Sequence, residues 1–333
     1  MIAPGAIALR FPIFLPRPPW LGGDLQTVRN FLRRPRIRLD DFPEKRVEFP
    51  LADGDRLVAV LNRPAADTGR PLVILIHGLS GWQDSIYLRR SARHLLERGY
   101  PTLRFNLRGA GPSGPLCRQS YHAGRTEDLH AALMQLDGRL AGRGLLAVGF
   151  SLGGNLLLKY LGEQGRRALF LGAVSVSAPV LPKEAQLRIM QRRNAAYHRY
   201  LLEGVKADFG RPSADLPAAL RAALPGIRTI YEFDDRVVAP SNGFAGAEDY
   251  YARTASLPHL ESIAVSTLVI HARNDPWIPA RPYLEFDWRK NPKLVPLLPR
   301  GGGHVGFHAL GHAAPWHDRC IAAFFEKLLP RGR

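Results

Sequence analysis

The chain has 333 residues, 46% hydrophobic and 23% charged, which excludes a disordered protein and allows one large α/β core or two small ones. Its formal charge of +17 points first to nucleic acid or an anionic membrane surface. Only seven of its 46 cationic residues are lysine, however, the arginines are spread along the whole chain, and no run of five like charges occurs. Specific nucleic-acid binding is therefore not expected, whereas a peripheral contact with an anionic membrane stays open.

Met1 to Trp20 is apolar but carries Pro4, Pro12, Pro16, Pro18 and Pro19 and no basic leading segment, so it reads as an arm packed on the domain rather than a signal peptide or a helix. Arg46 to Pro64 reads as two short strands around the Asp53-Gly54 turn. Leu72 to Ile76 is a continuous apolar run that ends at His77-Gly78, the pattern of a strand buried on both faces. Helical spacing follows over Ser85–Arg98, then a strand over Pro101–Leu107, the Gly109–Ser113 loop, and a helix over Thr126–Leu140. Leu145 to Gly149 is a strand that runs into Gly153-Gly154 and a helix over Asn155–Leu161, and Leu171–Val176 is a further strand. From Leu181 to about Glu261 the sequence is helical, Arg-rich and aromatic. Strand text resumes at Thr267–His271 and Lys293–Leu298, and a helix over about His317–Leu329 closes the chain.

Strands alternating with amphipathic helices predict a mostly parallel central sheet with helices on both faces. The expected organisation is a core of residues 1–180 and 262–333, with an N-terminal arm to about 45, and a helical cap at 181–261 inserted over the C-terminal edge of the sheet. Cys117 and Cys320 lie far apart and form neither a metal-spaced nor a redox motif, which fits a reducing cytoplasm. No apolar run approaches the roughly 18 residues that a membrane span needs.

Gly149-Phe150-Ser151-Leu152-Gly153 has the form G-x-S-x-G, and it follows a buried strand and opens a helix. In that context Ser151 is the candidate nucleophile. A serine hydroxyl needs a base, and the base needs an orienting acid. Asp275 and His304 both follow later strands, in the order Ser, Asp, His, and glycines flank His304. His308, His312 and His317 lack that glycine-flanked loop, and His271 falls inside a strand. Asp234 and Asp235 precede the strand expected to carry the orienting acid, and Asp235 with Arg236 reads as a structural pair in the cap. The loop His77–Gly81 would offer the Leu79 amide, together with that of Leu152, to an oxyanion, and His77 reads as shaping that loop. Gly109-Ala110-Gly111 is followed by Pro112 and Pro115, which spoil a dinucleotide-binding helix start. No Walker sequence, H-E-x-x-H or cysteine metal pair occurs, so no metal or organic cofactor is implied.

Several longer strings resemble the α/β-hydrolase superfamily, specifically its YheT-like branch, which is related to animal abhydrolase-domain lipid hydrolases. They are Gly22-Gly23-Asp24-Leu25-Gln26-Thr27, Asn106-Leu107-Arg108-Gly109, Tyr121-His122-Ala123-Gly124-Arg125-Thr126-Glu127-Asp128, Phe233-Asp234-Asp235-Arg236 and Ala247-Glu248-Asp249-Tyr250-Tyr251. The family more usually has His where Asp24 stands. The resemblance implies that Ser151, Asp275 and His304 form a catalytic triad for carboxylic-ester hydrolysis, with small-molecule or lipid esters as substrates. The residues by themselves also admit an acyltransferase on the same scaffold and a non-catalytic binding protein. No His is followed by Asp in an H-x-x-x-x-D spacing, which disfavours the first of these. The Leu, Tyr and Phe content of the cap suggests an apolar pocket for short to medium acyl chains.

Overall fold

Period-two alternation of apolar side chains runs through strands that are buried on both faces, and it sorts the core into two layers. Leu72, Ile74 and Ile76 point to one layer, while Val73 and Leu75 point to the other. The structure is a computed structural model that describes residues 11–329. Residues 1–10 of the expected arm, Pro4 among them, lie outside the described residues.

The strands are β1 (Glu44–Pro50), β2 (Arg56–Asn62), β3 (Leu72–Ile76), β4 (Thr102–Phe105), β5 (Leu145–Phe150), β6 (Gly172–Val176), β7 (Thr267–Ile270) and β8 (Leu294–Leu297). They form one sheet in the order β1-β2-β4-β3-β5-β6-β7-β8. β1 and β2 are the antiparallel hairpin expected around Asp53-Gly54, and β2 pairs antiparallel with β4. The six strands from β4 to β8 along that order run parallel. The order reverses between β3 and β5, so the loops that leave these two neighbours diverge and open a crevice at their C-terminal ends.

The main helices are α1 (Gly22–Arg33), α2 (Ile86–Leu96), α3 (Thr126–Met134), α4 (Leu152–Gln164), α5 (Pro182–Ile189), α6 (Ala195–Phe209), α7 (Ala247–Thr254) and α8 (Trp316–Leu328). Between β6 and β7 every regular element is helical and none is a strand, as the composition of this stretch predicts.

The boundaries differ from the sequence reading where side chains compete with the backbone. The strand expected to reach Leu107 stops at Phe105, because the Asn106 amide donates to Val58 O and Leu107 N donates to His77 Nε2. The helix expected over 126–140 ends at Met134, and Asp137 caps a separate turn over Gly138–Ala141. Gly111–Leu116 is a 3-10 helix rather than an open loop, with Pro112 at its start. α1 falls in what was expected to be an irregular arm. Asp235 and Arg236 do not pair: Asp235 Oδ1 accepts from Ala247 N, and Arg236 reaches one turn back to Glu232. Adjacent side chains leave a helix in different directions, so Arg236 meets Glu232 one turn back while Asp235 meets the start of α7.

Two of the family-like strings are structural locks. The Arg108 guanidinium is buried between Asp128, Asp53 and Asp55, at 2.6, 2.5 and 2.9 Å. It ties the β1–β2 turn to α3, and against the cost of burial the Asp128 and Asp53 carboxylates hold its pKa well above the ordinary guanidinium value.

Candidate active site

The turn from β5 to α4 carries Ser151 at φ 51° and ψ −123°, in the left-handed region. Such a backbone costs a non-glycine residue on the order of 1–2 kcal/mol, so the neighbouring chain must hold it in place. Gly149 and Gly153 make that possible. A Cβ on Gly149 would sit 2.3 Å from Gly153 O, and one on Gly153 would sit 2.4 Å from His77 O. Without side chains, the end of β5, the first turn of α4 and the loop after β3 close around Ser151. α4 begins at Leu152, immediately after the serine and three residues earlier than expected, so the helix N-terminus abuts its oxygen.

Asp275 and His304 arrive from the loops after β7 and β8. His304 Nε2 lies 2.9 Å from Ser151 Oγ, and Nδ1 lies 2.8 Å from Asp275 Oδ2. The carboxylate fixes the proton on Nδ1 and leaves Nε2 to accept from the serine hydroxyl. Asp275 Oδ1 accepts from the amides of Trp277 and Ile278. Burial pushes the Asp275 carboxyl up, but the adjacent His304 and these amides outweigh it and hold the pKa below its usual value. The Trp277 indole stacks on the imidazole at 4.4 Å.

The three residues singled out in the sequence thus meet at the C-terminal rim of the sheet. The rival histidines do not join them. His271, one residue past β7, is buried and stacked on Tyr283, and His308 bonds with the α1 region through its backbone.

The loop after β3 lies directly against the serine, since a Cβ on Gly78 would stand 2.9 Å from Ser151 Cβ. Gly78 N donates to Tyr87 Oη and Ser80 N donates to Tyr121 Oη. The two tyrosines thereby pin the amides on either side of Leu79, and Leu79 N itself has no partner among the described residues. His77 is structural, as expected: its ring bridges Gly78 O and Leu107 N, and burial pushes its pKa down to about 4.

Sequence reasoning missed the supports of the His304 loop. Thr27 Oγ1 accepts from His304 N at 2.8 Å, and Ser177 Oγ accepts from Val305 N. Gln26, fully buried, bonds His308 N and His308 O. The Gly22–Thr27 string is the first turn of α1, docked against the His304 loop and the 274–275 turn. The signal was present in that string, but its target is nearly 280 residues away. Asp24, the departure from the family pattern, faces the other way, to Arg193 and Tyr197 of the inserted helices.

A cavity of about 550 Å³ opens onto Ser151 and His304. Its walls come from α1 (Val28, Phe31), from the loop after β3, and from the helices between β6 and β7, including Ile189, Leu201, Val205, Phe209 and Phe233. Most of the lining is aromatic or aliphatic.

A sequence model described as the alpha/beta hydrolase fold matches residues 71–308. This chain belongs to the α/β-hydrolase fold family. Within it, the chain is 32% identical over 319 residues to the candidate esterase YheT of Escherichia coli strain K12, covering 92% of this chain and 91% of that one. That places it in the YheT-like branch. It is 29% identical over 285 residues to the medium-chain fatty acid ethyl ester synthase/esterase 2 of Saccharomyces cerevisiae, covering 77% of this chain and 62% of that longer protein. Among solved structures, the Pyrococcus furiosus esterase Pf2001 superimposes with a TM-score of 0.58 at 19% identity over 86% of this chain and 92% of that one, a likeness of fold.

Proposed function

We propose that the protein is a serine carboxylic-ester hydrolase. The observation that carries this reading is the unbroken chain of hydrogen bonds from Ser151 Oγ through His304 to Asp275 at the floor of an apolar cavity. Ser151 Oγ attacks the ester carbonyl while His304 Nε2 takes its proton. Asp275 holds the imidazole and balances its positive charge. The amides of Leu79 and Leu152 receive the oxyanion, each such donor contributing roughly 3 kcal/mol in the transition state. His304 returns the proton to the leaving alcohol. Water, activated by the same imidazole, then clears the acyl-enzyme. Every group required belongs to this chain, and the scheme calls on no cofactor.

The helices of residues 181–261 act as a cap whose apolar side chains hold the acyl chain, and the cavity volume suits short to medium chains. An alcohol in place of the deacylating water would make the same site an acyltransferase. Exposed Phe31 of α1 and Tyr200 of α6 line the cavity, Leu25 and Leu32 of α1 are exposed as well, and the Arg34 guanidinium lies over the Phe31 ring. Apolar side chains framed by arginines suit peripheral contact with an anionic lipid surface that supplies the ester.

The test is a series of p-nitrophenyl esters graded by acyl length, with a fluorophosphonate label. Wild type should hydrolyse the shorter members and label at Ser151. Ser151→Ala should lose label and lower kcat on the order of 10⁶-fold. Retained turnover in Ser151→Ala would overturn the assignment, and product analysis with added ethanol separates hydrolysis from acyl transfer.

A further inference from the structure

One corner of the cavity carries an acid that the triad does not use. Asp234, the second residue of the Phe233–Arg236 string, lines the cavity. It begins a π-helical turn over Asp234–Val238, a rare geometry that recurs at functional sites. The residue is ringed by protein yet only part-buried, so its remaining accessible surface faces the cavity. Its Oδ2 accepts from Tyr251 Oη at 2.7 Å, and no hydrogen bond occupies Oδ1 among the described residues.

Two further polar groups line the same cavity. Tyr250, whose ring packs 5.4 Å from Tyr251, accepts from Ala123 N through its hydroxyl and lines the cavity. His122 packs edge-on to Tyr250 at 6.2 Å and also lines the cavity. Gly124 N donates to His122 Nδ1, which makes Nδ1 the acceptor and puts the ring proton on Nε2. Burial and the nearby Arg125, Lys159 and Arg253 push the imidazole down to about 3, so it stays neutral. Its Nε2–H is a donor with no partner among the described residues. An acceptor oxygen and an unused donor therefore line a mostly apolar cavity, and neither serves the triad. A purely acyl-binding wall has no use for them, because a polar group that meets only hydrocarbon loses its hydration without compensation.

We propose that Asp234, held by Tyr251, forms a polar subsite that binds a neutral hydroxyl group of the substrate, so that the enzyme prefers hydroxyl-bearing esters over plain alkyl esters. The inference rests on the esterase reading. A hydroxyl fits because it donates to Asp234 Oδ1, and with that carboxyl pushed up to about 7 by burial an ion pair there is disfavoured below neutral pH.

The hydroxyl could sit on the alcohol side or the acyl side of the ester, and two substrate pairs separate these. The first is glyceryl monooctanoate against ethyl octanoate, and the second is ethyl 3-hydroxyoctanoate against ethyl octanoate. In wild type, kcat/KM should favour the hydroxylated member of one pair at least tenfold, mainly through KM. That ratio should fall at least tenfold in Asp234→Leu and severalfold in Tyr251→Phe, and recover in part in Asp234→Asn, which keeps a hydrogen-bonding group. Fluorophosphonate labelling of Ser151 at the wild-type rate establishes that each variant is folded. A wild-type ratio near one in both pairs, or a ratio that none of the variants moves, overturns the subsite. Should wild type hydrolyse no ester, the esterase reading fails, and calorimetric binding of octyl glyceryl ether against octyl ethyl ether still reads the corner. Tighter binding of the glyceryl ether that is lost in Asp234→Leu supports it, and equal binding overturns it.

Discussion

Thr27 shows how far a single side chain can be from the sequence neighbourhood it serves. Its hydroxyl donates to Gly23 O within α1 and accepts from His304 N, so one hydroxyl links the helix to the catalytic loop. Thr27→Val keeps the shape and removes both bonds, at about 1–3 kcal/mol for an unsatisfied buried donor. The expected outcome is a fall in kcat of roughly 3–30-fold on a short p-nitrophenyl ester with KM changed less, and recovery in Thr27→Ser. A melting-temperature loss with kcat intact would show that Thr27 only stabilises the fold. Strain is concentrated at the same place. Ser80, Ser151 and Val305 all have positive φ and all line the cavity. Three such residues are tolerated because their backbones are held from outside, by Tyr121 at Ser80 and by Ser177 at Val305.

At the scale of elements, α1 has two unlike faces. Gln26 and Thr27 face the His304 loop, whereas Leu25 and Leu32, seven residues apart on one stripe, stay exposed with Phe31 beside the exposed Tyr200 ring, 6.1 Å away. An exposed apolar stripe suits the proposed contact with an anionic lipid surface, for which Arg33 in the last turn, with Arg34 and Arg36 beyond it, would supply charge. Co-sedimentation with phosphatidylglycerol vesicles should exceed that with phosphatidylcholine vesicles. The double variant Leu25→Glu, Leu32→Glu should lower binding tenfold or more. Equal sedimentation of wild type and double variant would show that α1 does not meet the membrane. α4 is the complementary case. It is buried along nearly its whole length, and its Asn155 bonds Ala123 O, Thr254 O and Ser256 N, tying the elbow helix to α7.

For the molecule as a whole, buried imidazoles set the pH dependence of stability. Burial pushes His77 and His271 down to about 4, and burial with nearby cations pushes His122 to about 3 and His308 to about 2. Unfolded, each would titrate near 6.5. Between those values the unfolded chain binds protons that the folded one refuses, so stability is fully present above about 6.5 and falls as the pH drops toward 4. Asp234 works the other way. With its carboxyl raised to about 7, its contribution is lost as pH rises from 3.8 through 7. Four groups outweigh one, so the melting temperature should be higher at pH 7.5 than at pH 5.5. In addition, Asp234→Asn should gain stability relative to wild type as pH rises across that interval. A flat melting temperature between the two pH values would contradict this balance.

The sequence alone determined the class of fold and singled out the three residues, Ser151, Asp275 and His304, that the fold brings together. Those features rest on local physics. Apolar runs bounded by Gly and Pro specify buried strands, and Gly149 and Gly153 are legible because only a residue without a side chain fits so tight a turn. The order Ser151, Asp275, His304 is legible because each follows a strand whose end must open on the same rim. Tertiary structure decided the rest. α1 was hidden because Pro12, Pro16, Pro18 and Pro19 just before it suggested an irregular arm, and its helix matters only through the loop it touches. The pairing first assigned to Asp235 and Arg236 failed because neighbours in sequence diverge on a helix. Asp234 looked like a spare acid, since its contact with Tyr251 and its place on the cavity wall exist only after the chain has folded around the sheet.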